Sequence, residues 1–256
     1  MIDGVLTGRL ALVTGASRGI GRAIACELGA LGAHVIVHYG SREAGAEETA
    51  AAIRESGGAA SVLGADLSRP AAIDTLFQGI DKLLGTLGFD KLDILVNNAG
   101  IGGGGGIDDV DLEAFDQLFA VNVRGPFLVT RAALPRMRDG GRIINISSMV
   151  GVAAYPGSIA YAMTKAAVNS FTVSLAQAMG ARGITVNAVA PGATATDFIQ
   201  ALLDQPELAR FSAAKAALNR IGTPEEIAGP VGFLASPKGG WITGQIVQAS
   251  GGMHLD

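Results

Sequence analysis

The chain has 256 residues, 49% hydrophobic and 16% charged, enough for one large domain or two small ones around a sizeable core. Nineteen Lys and Arg against 23 Asp and Glu leave a formal charge of −4, so no basic excess draws in a phosphate backbone and nucleic acid is not an expected partner. A single cysteine, Cys26, forbids an internal disulfide, and no Cys/His cluster offers a zinc site; an intracellular, cytoplasmic protein is expected.

Residues Met1 to Leu10 lack the apolar run of a secretory leader. From there, short apolar runs alternate with longer stretches of helical periodicity. Strands are predicted at Leu10–Thr14, His34–His38, Ala60–Leu63, Leu92–Val96, Arg142–Ile146, Thr185–Val189 and Ile246–Gln248. Most are Val/Ile/Leu-rich without clean alternation, the pattern of strands covered on both faces. Crossover helices are predicted at Ile20–Leu31, Ala44–Glu55, Ala71–Leu84 and Leu112–Met137, and a further helix at Tyr161–Met179. Repeated strand–helix–strand units imply α/β architecture: one doubly wound parallel sheet of about seven strands, with helices on both faces. No linker or shift in composition divides the chain, so a single domain over 1–256 is expected. The uncharged stretch Ile143–Thr164 is long enough to cross a bilayer. It carries Asn145, Ser147, Ser148, Gly151 and Pro156, which suit a buried strand, a loop and a helix start better than lipid, so no membrane contact is expected.

Glycines mark the strand-to-helix corners, at Gly15, Gly19 and Gly21, Gly100, Gly192, and Gly251 and Gly252, where open α/β sheets bind ligands. A separate run, Gly102 to Gly106, reads first as a flexible surface loop and otherwise as a mobile rim of the cleft. The first corner is Gly15-Ala-Ser-Arg-Gly19-Ile-Gly21. Directly after a strand and before an amphipathic helix, this spacing favours a nucleotide pyrophosphate on the helix N-terminus. The same residues match G-x-S-x-G, so a serine hydrolase using Ser17, a later Asp and His254 is the competing reading. Only about a dozen residues precede the turn, against the central strand that such an elbow needs. A nucleotide sensor without catalysis is a third.

The second strand ends Val37-His38-Tyr39-Gly40-Ser41-Arg42, without the acid that would bind ribose hydroxyls and repel a 2′-phosphate. Arg18 and Arg42 flank that position and Ser41 adds a donor, which favours NADP over NAD. His34 and His38 lie about 13 Å apart on a strand, too far to share an ion; they read as ordinary strand residues, and no metal is predicted.

Tyr161-Ala-Met-Thr-Lys165 places a phenol and an ammonium on one helical face. A close cation lowers a phenol's pKa toward the range of acid–base work. Ser148, at the end of the fifth strand, can donate to a substrate oxygen. Asn122 has two readings, a polar residue serving a kink near Gly125-Pro126 or a member of the site.

With these pieces in place, the chain resembles the short-chain dehydrogenases/reductases, over nearly all its length. The resemblance rests on Thr14-Gly-Ala-Ser-Arg-Gly-Ile-Gly21, Asp66-Leu67, Asn97-Asn-Ala-Gly100, Asn122, Ser148, Tyr161-x-x-x-Lys165 and Pro191-Gly192. It implies that Tyr161 protonates a carbonyl oxygen as hydride arrives from a nicotinamide. It further implies that Lys165 lowers the tyrosine pKa and binds the nicotinamide ribose, that Ser148 holds the substrate oxygen, and that Asn122 anchors a water in a proton relay. Its cofactor contacts would be Gly15, Ser17, Arg18, Gly19, Ile20, Gly21, Tyr39, Ser41, Arg42, Asp66, Leu67, Asn98, Ala99, Gly100, Pro191, Gly192, Thr194 and Thr196, together with Tyr161 and Lys165. The implied activity is an NADP-dependent reduction of a ketone, or oxidation of a secondary alcohol, with a 3-oxoacyl thioester as the alternative substrate. Residues 196–221 would form the lid, with Phe198, Ile199, Leu202, Leu203 and Phe211 as candidate lining. Relatives pair through the helices Leu112–Met137 and Tyr161–Met179, so a homotetramer is expected, with a dimer next.

Overall fold

The computed structural model describes residues 4–253. The elements alternate as the hydrophobic pattern demands: β1 (Leu10–Val13), α1 (Gly19–Ala30), β2 (His34–Tyr39), α2 (Glu43–Glu55), β3 (Ala59–Gly64), α3 (Pro70–Leu87) and β4 (Leu92–Asn97). The second half continues with α4 (Leu112–Phe119), α5 (Gly125–Ala133), β5 (Met137–Ile146), α6 (Ile159–Met179), β6 (Thr185–Pro191), α7 (Gln200–Leu203), α8 (Pro206–Ala214), α9 (Pro224–Ala235) and β7 (Ile246–Ala249). Seven strands form one sheet in the order β3-β2-β1-β4-β5-β6-β7, every pair parallel. The chain winds outward to β3 and returns to the other side of β1, so the crevice opens between β1 and β4 at the carboxyl ends of the strands.

Alternation along each strand feeds two apolar layers. Ala11 and Val13 of β1 join Ile24 and Leu28 of α1 and Val231 and Leu234 of α9. Leu10 and Leu12 face the opposite layer, with Phe77 and Ile80 of α3, Val129 of α5 and Val186 of β6. Between them a buried polar ladder crosses the sheet. Asn97 Nδ2 donates to Thr130 Oγ1 and to Asn145 Oδ1, both at 2.9 Å, and Asn145 Nδ2 donates to Thr172 Oγ1 at 2.9 Å. Such bonds fix the register of β4 and β5 against α5 and α6 more specifically than apolar packing does.

Two boundaries differ from the sequence pattern. The long helix expected over Leu112–Met137 is three pieces: α4, a π-helical turn at Ala120–Arg124, and α5. Pro126 in the first turn of α5 has no N–H for the i→i−4 ladder, so the backbone widens ahead of it. Met137 belongs to β5 instead, which starts five residues before the predicted Arg142 and pairs with Leu92 across a register shift. The uncharged stretch Ile143–Thr164 is strand, loop and helix start, and no helix among the described residues is long and apolar enough to cross a membrane.

Candidate active site

The glycine-rich turn is shaped by backbone. Gly15 and Gly19 sit at φ +65° and +54°, where side chains are strained. A Cβ on Gly21 would overlap Gly15 O and Asn98 Nδ2, so only glycine lets α1 start this close to β1. Thr14 and Asn98 lock the turn to the loop after β4. Thr14 Oγ1 accepts from the N–H groups of Asn98 (2.9 Å) and Ala99 (3.0 Å), while Asn98 Nδ2 donates to the carbonyls of Thr14 and Gly15. Helix α1 has no side-chain cap bond and no acid in its first turn. Its free N–H groups and positive dipole end therefore suit an anionic pyrophosphate, and the residues present fit a dinucleotide.

Around this turn stand the other expected cofactor residues. Ile20, in the first turn of α1, packs partly buried against the core. Tyr39 closes β2 with its ring over Gly64. Ser41 and Arg42 are exposed just beyond it. Asp66 Oδ1 accepts from the backbone N–H (3.0 Å) and hydroxyl (2.7 Å) of Ser68, a small turn that buries Leu67 beside it. Across the crevice, Pro191 ends β6, Gly192 packs against Ser250, and Thr194 Oγ1 donates to Gly192 O at 3.0 Å. Thr196 reaches back toward Gly19.

His38 is a site residue that strand periodicity hides. Its ring is buried, its Nδ1 accepts from Gly15 N–H at 3.1 Å, and its Nε2 lies 3.0 Å from Ala65 O. Because the first partner is a donor and the second an acceptor, the ring is neutral with its proton on Nε2. Burial agrees, lowering its pKa to about 4. His38 thus braces the glycine-rich turn against the segment that carries Asp66. His34, by contrast, meets only Ser61 Oγ at 2.9 Å and the edge of the Phe89 ring. The two imidazoles have different hydrogen-bond partners.

The catalytic candidates converge at the neighbouring corner. Ser148 lies two residues beyond β5 and starts a short 3₁₀ turn, accepting from Val150 N–H. Ser147 Oγ donates to Asn169 Oδ1 at 2.6 Å, and Asn169 Nδ2 donates to Gly151 O at 3.0 Å, which pins this loop onto α6. A Cβ on Gly151 would strike the Lys165 backbone at 2.8 Å, so that glycine sets how near the serine loop comes. Lys165 is buried, donates to Ile146 O at 2.9 Å, and stands 5.6 Å from the centre of the Tyr161 ring.

Here the geometry corrects the electrostatic expectation. Burial pushes the Tyr161 phenol up to about 12, with only the Ser148 hydroxyl pulling the other way. Burial likewise brings the Lys165 ammonium down to about 8. In the free protein, burial of both groups thus opposes the lowering that the resemblance assigns to Lys165. Asn122 sits inside the π-turn, with Oδ1 accepting from Ile101 N–H and Nδ2 donating to Ile101 O, both at 2.9 Å, and to Thr164 Oγ1 at 3.2 Å. Both sequence readings meet here: the asparagine occupies a distorted helix, and it ties the loop after Gly100 to the helix of Tyr161.

The glycine run is not a free loop. Gly105 N–H donates to Gly157 O at 2.9 Å and Gly105 O accepts from Ile159 N–H at 3.4 Å, so the run straps the start of α6. Gly105 holds φ +122°, and a Cβ on Gly102 would meet the Phe198 ring at 2.8 Å. Phe198, beyond Thr196, lies 6.0 Å from the Tyr161 ring. Phe211 instead faces Lys215, whose Nζ also lies 4.9 Å from the Tyr155 ring. Tyr155 and Lys215 were invisible in the sequence because their pairing depends on how the segment after β6 folds back.

Ser17 lies in the turn between β1 and α1. Among the described histidines, His38 and His34 are engaged with Gly15, Ala65 and Ser61, and His254 lies outside the described residues. The hydrolase reading is set aside.

A family model described as enoyl-(acyl carrier protein) reductase matches residues 15–254. Tetrahydroxynaphthalene reductase of Pyricularia oryzae is 40% identical over 259 residues, spanning 96% of this chain and 90% of that protein. A 3-oxoacyl-(acyl-carrier-protein) reductase of Synechocystis sp. is 40% identical over 254 residues, 98% of each. Among solved structures, the angucycline C-6 ketoreductase LanV with bound NADP matches with a TM-score of 0.95 and 44% identity, over 99% of this chain and 98% of that one. Fold, site and matches together define an oxidoreductase on a dinucleotide-binding sheet. The chain belongs to the short-chain dehydrogenase/reductase family.

Proposed function

We propose that the protein is an NADP-dependent ketoreductase whose proton donor is Tyr161. The carrying observation is the convergence of half-buried Tyr161 and Ser148 with buried Lys165: the Ser148 hydroxyl bonds the phenol and the Lys165 ammonium stands 5.6 Å from its ring. Bound NADPH supplies the hydride. Tyr161, held proton-loaded by burial, gives its proton to the oxygen as negative charge develops there, since an alkoxide is a far stronger base than a phenolate. Ser148 orients that oxygen, and Lys165 holds the nicotinamide ribose and steadies the phenolate left behind. Asn122 keeps the Ile101 loop and α6 in register and anchors the water that returns a proton. Arg18 and Arg42 receive the 2′-phosphate, and Thr194 and Thr196 face the carboxamide and pyrophosphate. Asp66 and Leu67 border the adenine.

The Phe198 ring beside Tyr161 supports a carbonyl on a planar ring system. A 3-oxoacyl thioester is the second reading, supported by the cyanobacterial relative. Turnover of a bicyclic aryl ketone well above that of an acetoacetyl thioester would decide for the first.

We also read the chain as one cytoplasmic domain with residues 196–221 as its lid. The homotetramer is proposed through α4, α5 and α6. They carry exposed Leu112, Phe127 and Val173 and frame an open groove of about 1040 Å³.

The test is Tyr161→Phe. Turnover should fall by about a thousandfold or more, while NADPH binding, followed by its fluorescence, stays within about twofold. A variant retaining a tenth of the rate would overturn the assignment.

A further inference from the structure

One carboxylate oxygen lies between the two arginines assigned to the cofactor. Asp197 Oδ2 accepts from Arg18 Nη1 at 2.9 Å and stands 3.7 Å from Arg42 Nη1. No other residue contacts both guanidiniums through an ion pair among the described residues. Arg18 foremost, then Arg42 more weakly, holds the Asp197 carboxyl below the usual carboxylate range. The three side chains come from three segments: the glycine-rich turn, the residue preceding α2, and the 3₁₀ turn Asp197–Ile199 that opens the lid.

We propose that Asp197 is a specificity-determining residue, an internal counter-ion that competes with the cofactor's 2′-phosphate for Arg18 and Arg42. This rests on the cofactor reading above. A single oxygen shared by two guanidiniums marks the point at which a phosphate oxygen gains most, because both cations face it. Two arginines alone would offer a charge of +2. With Asp197 engaged they offer +1, and a phosphate must first displace the carboxylate. The pair is mostly solvent-exposed, with Asp197 at 62% and Arg18 at 44%. Its hold is therefore weak enough to exchange and strong enough to tax binding. The consequence is a tempered preference: Asp197 costs NADPH affinity and costs NADH nothing, since the latter brings no group for the arginines.

The experiment uses the full chain and its Asp197→Asn, Arg42→Ala and double variants. Calorimetry measures binding of 2′,5′-ADP and of 5′-ADP, which carry the phosphates but no reacting nicotinamide. Asp197→Asn should tighten 2′,5′-ADP about three- to fivefold and leave 5′-ADP within experimental error, and the kcat/KM ratio of NADPH to NADH should rise by the same factor. Arg42→Ala should weaken 2′,5′-ADP selectively and shrink the effect of Asp197→Asn in the double variant. Weakening of both nucleotides in Asp197→Asn would make the aspartate a clamp over the pyrophosphate and overturn the proposal. If Arg42→Ala weakened both nucleotides equally, the phosphate assignment itself would fall, a result distinct from any behaviour of Asp197.

Discussion

Two aspartates, at opposite ends of the strands, each hold a pair of arginines, and they do so in opposite ways. Asp93, near the start of β4, is 3% exposed. Its Oδ1 accepts from Arg9 Nη1 at 2.7 Å and Arg138 Nε at 3.0 Å, and its Oδ2 from Leu10 N–H at 3.0 Å. Asp197, on the rim of the crevice, meets its arginines through one oxygen in the open. The charges are the same; burial and the number of bonds separate a strut that cannot exchange partners from a contact that can. Asp93 is held in place at the end of the sheet away from the ligand, and the ligand end keeps its charges available.

Lys165 pushes that contrast furthest, because it is buried with a carbonyl as partner and no carboxylate. Its ammonium titrates near 8 in the folded protein, against the ordinary value of 10.5. Between those two pH values the unfolded chain holds a proton that the folded one has released. Stability of the free protein therefore rises with pH from about 8 to 10.5, and the whole cost is present below 8. Lys165→Met should remove this rise and gain roughly 3 kcal/mol at pH 7, read as the difference between wild-type and variant urea unfolding across the pH range, while turnover is lost. If the two curves ran parallel, burial would not be what lowers this lysine.

The strut is the next largest effect. Asp93→Ala leaves Leu10 N–H without an acceptor, whereas Arg9 and Arg138, each roughly half exposed, turn to water. A loss of about 2 kcal/mol of unfolding free energy is expected, with the dissociation constant for NADPH unchanged because the crevice lies at the other end of the strands. A changed NADPH affinity would erase the distinction between the two ends.

The ligand end was also the more legible in the sequence, for a physical reason. Gly15, Gly19 and Gly21 are needed where backbone must be left-handed or must touch backbone, and no other residue substitutes, so the pattern is visible in one dimension. Tyr161 and Lys165 share a helix face and are likewise local. What escaped reading depends on contacts between distant segments. Met137 belongs to β5 only because Leu92 pairs with it, the glycine run is a strap only because Gly157 accepts from it, and Lys215 finds Tyr155 only after the chain beyond β6 folds back. The environment of the Tyr161 phenol was hidden in the same way, since i,i+4 spacing reports proximity and says nothing of the burial that opposes its ionisation.

His38 offers the finest cut between strut and site, being buried like Asp93 while serving the ligand end. Its neutral ring accepts from Gly15 N–H, so removing it should loosen the turn without touching the proton donor. In His38→Ala, KM for NADPH and NADH should rise together by about three- to tenfold, as expected for one or two neutral hydrogen bonds, with kcat nearly unchanged. His38→Asn, whose carboxamide oxygen can take the place of Nδ1, should recover most of the loss. Acid separates the role further. An unfolded histidine gains its proton near 6.5, the folded one only near 4, so wild-type stability falls as pH drops through that interval and His38→Asn should lack the decline. Should KM rise for NADPH alone, the ring would be acting on the arginine side of the crevice and not on the pyrophosphate turn that both cofactors share.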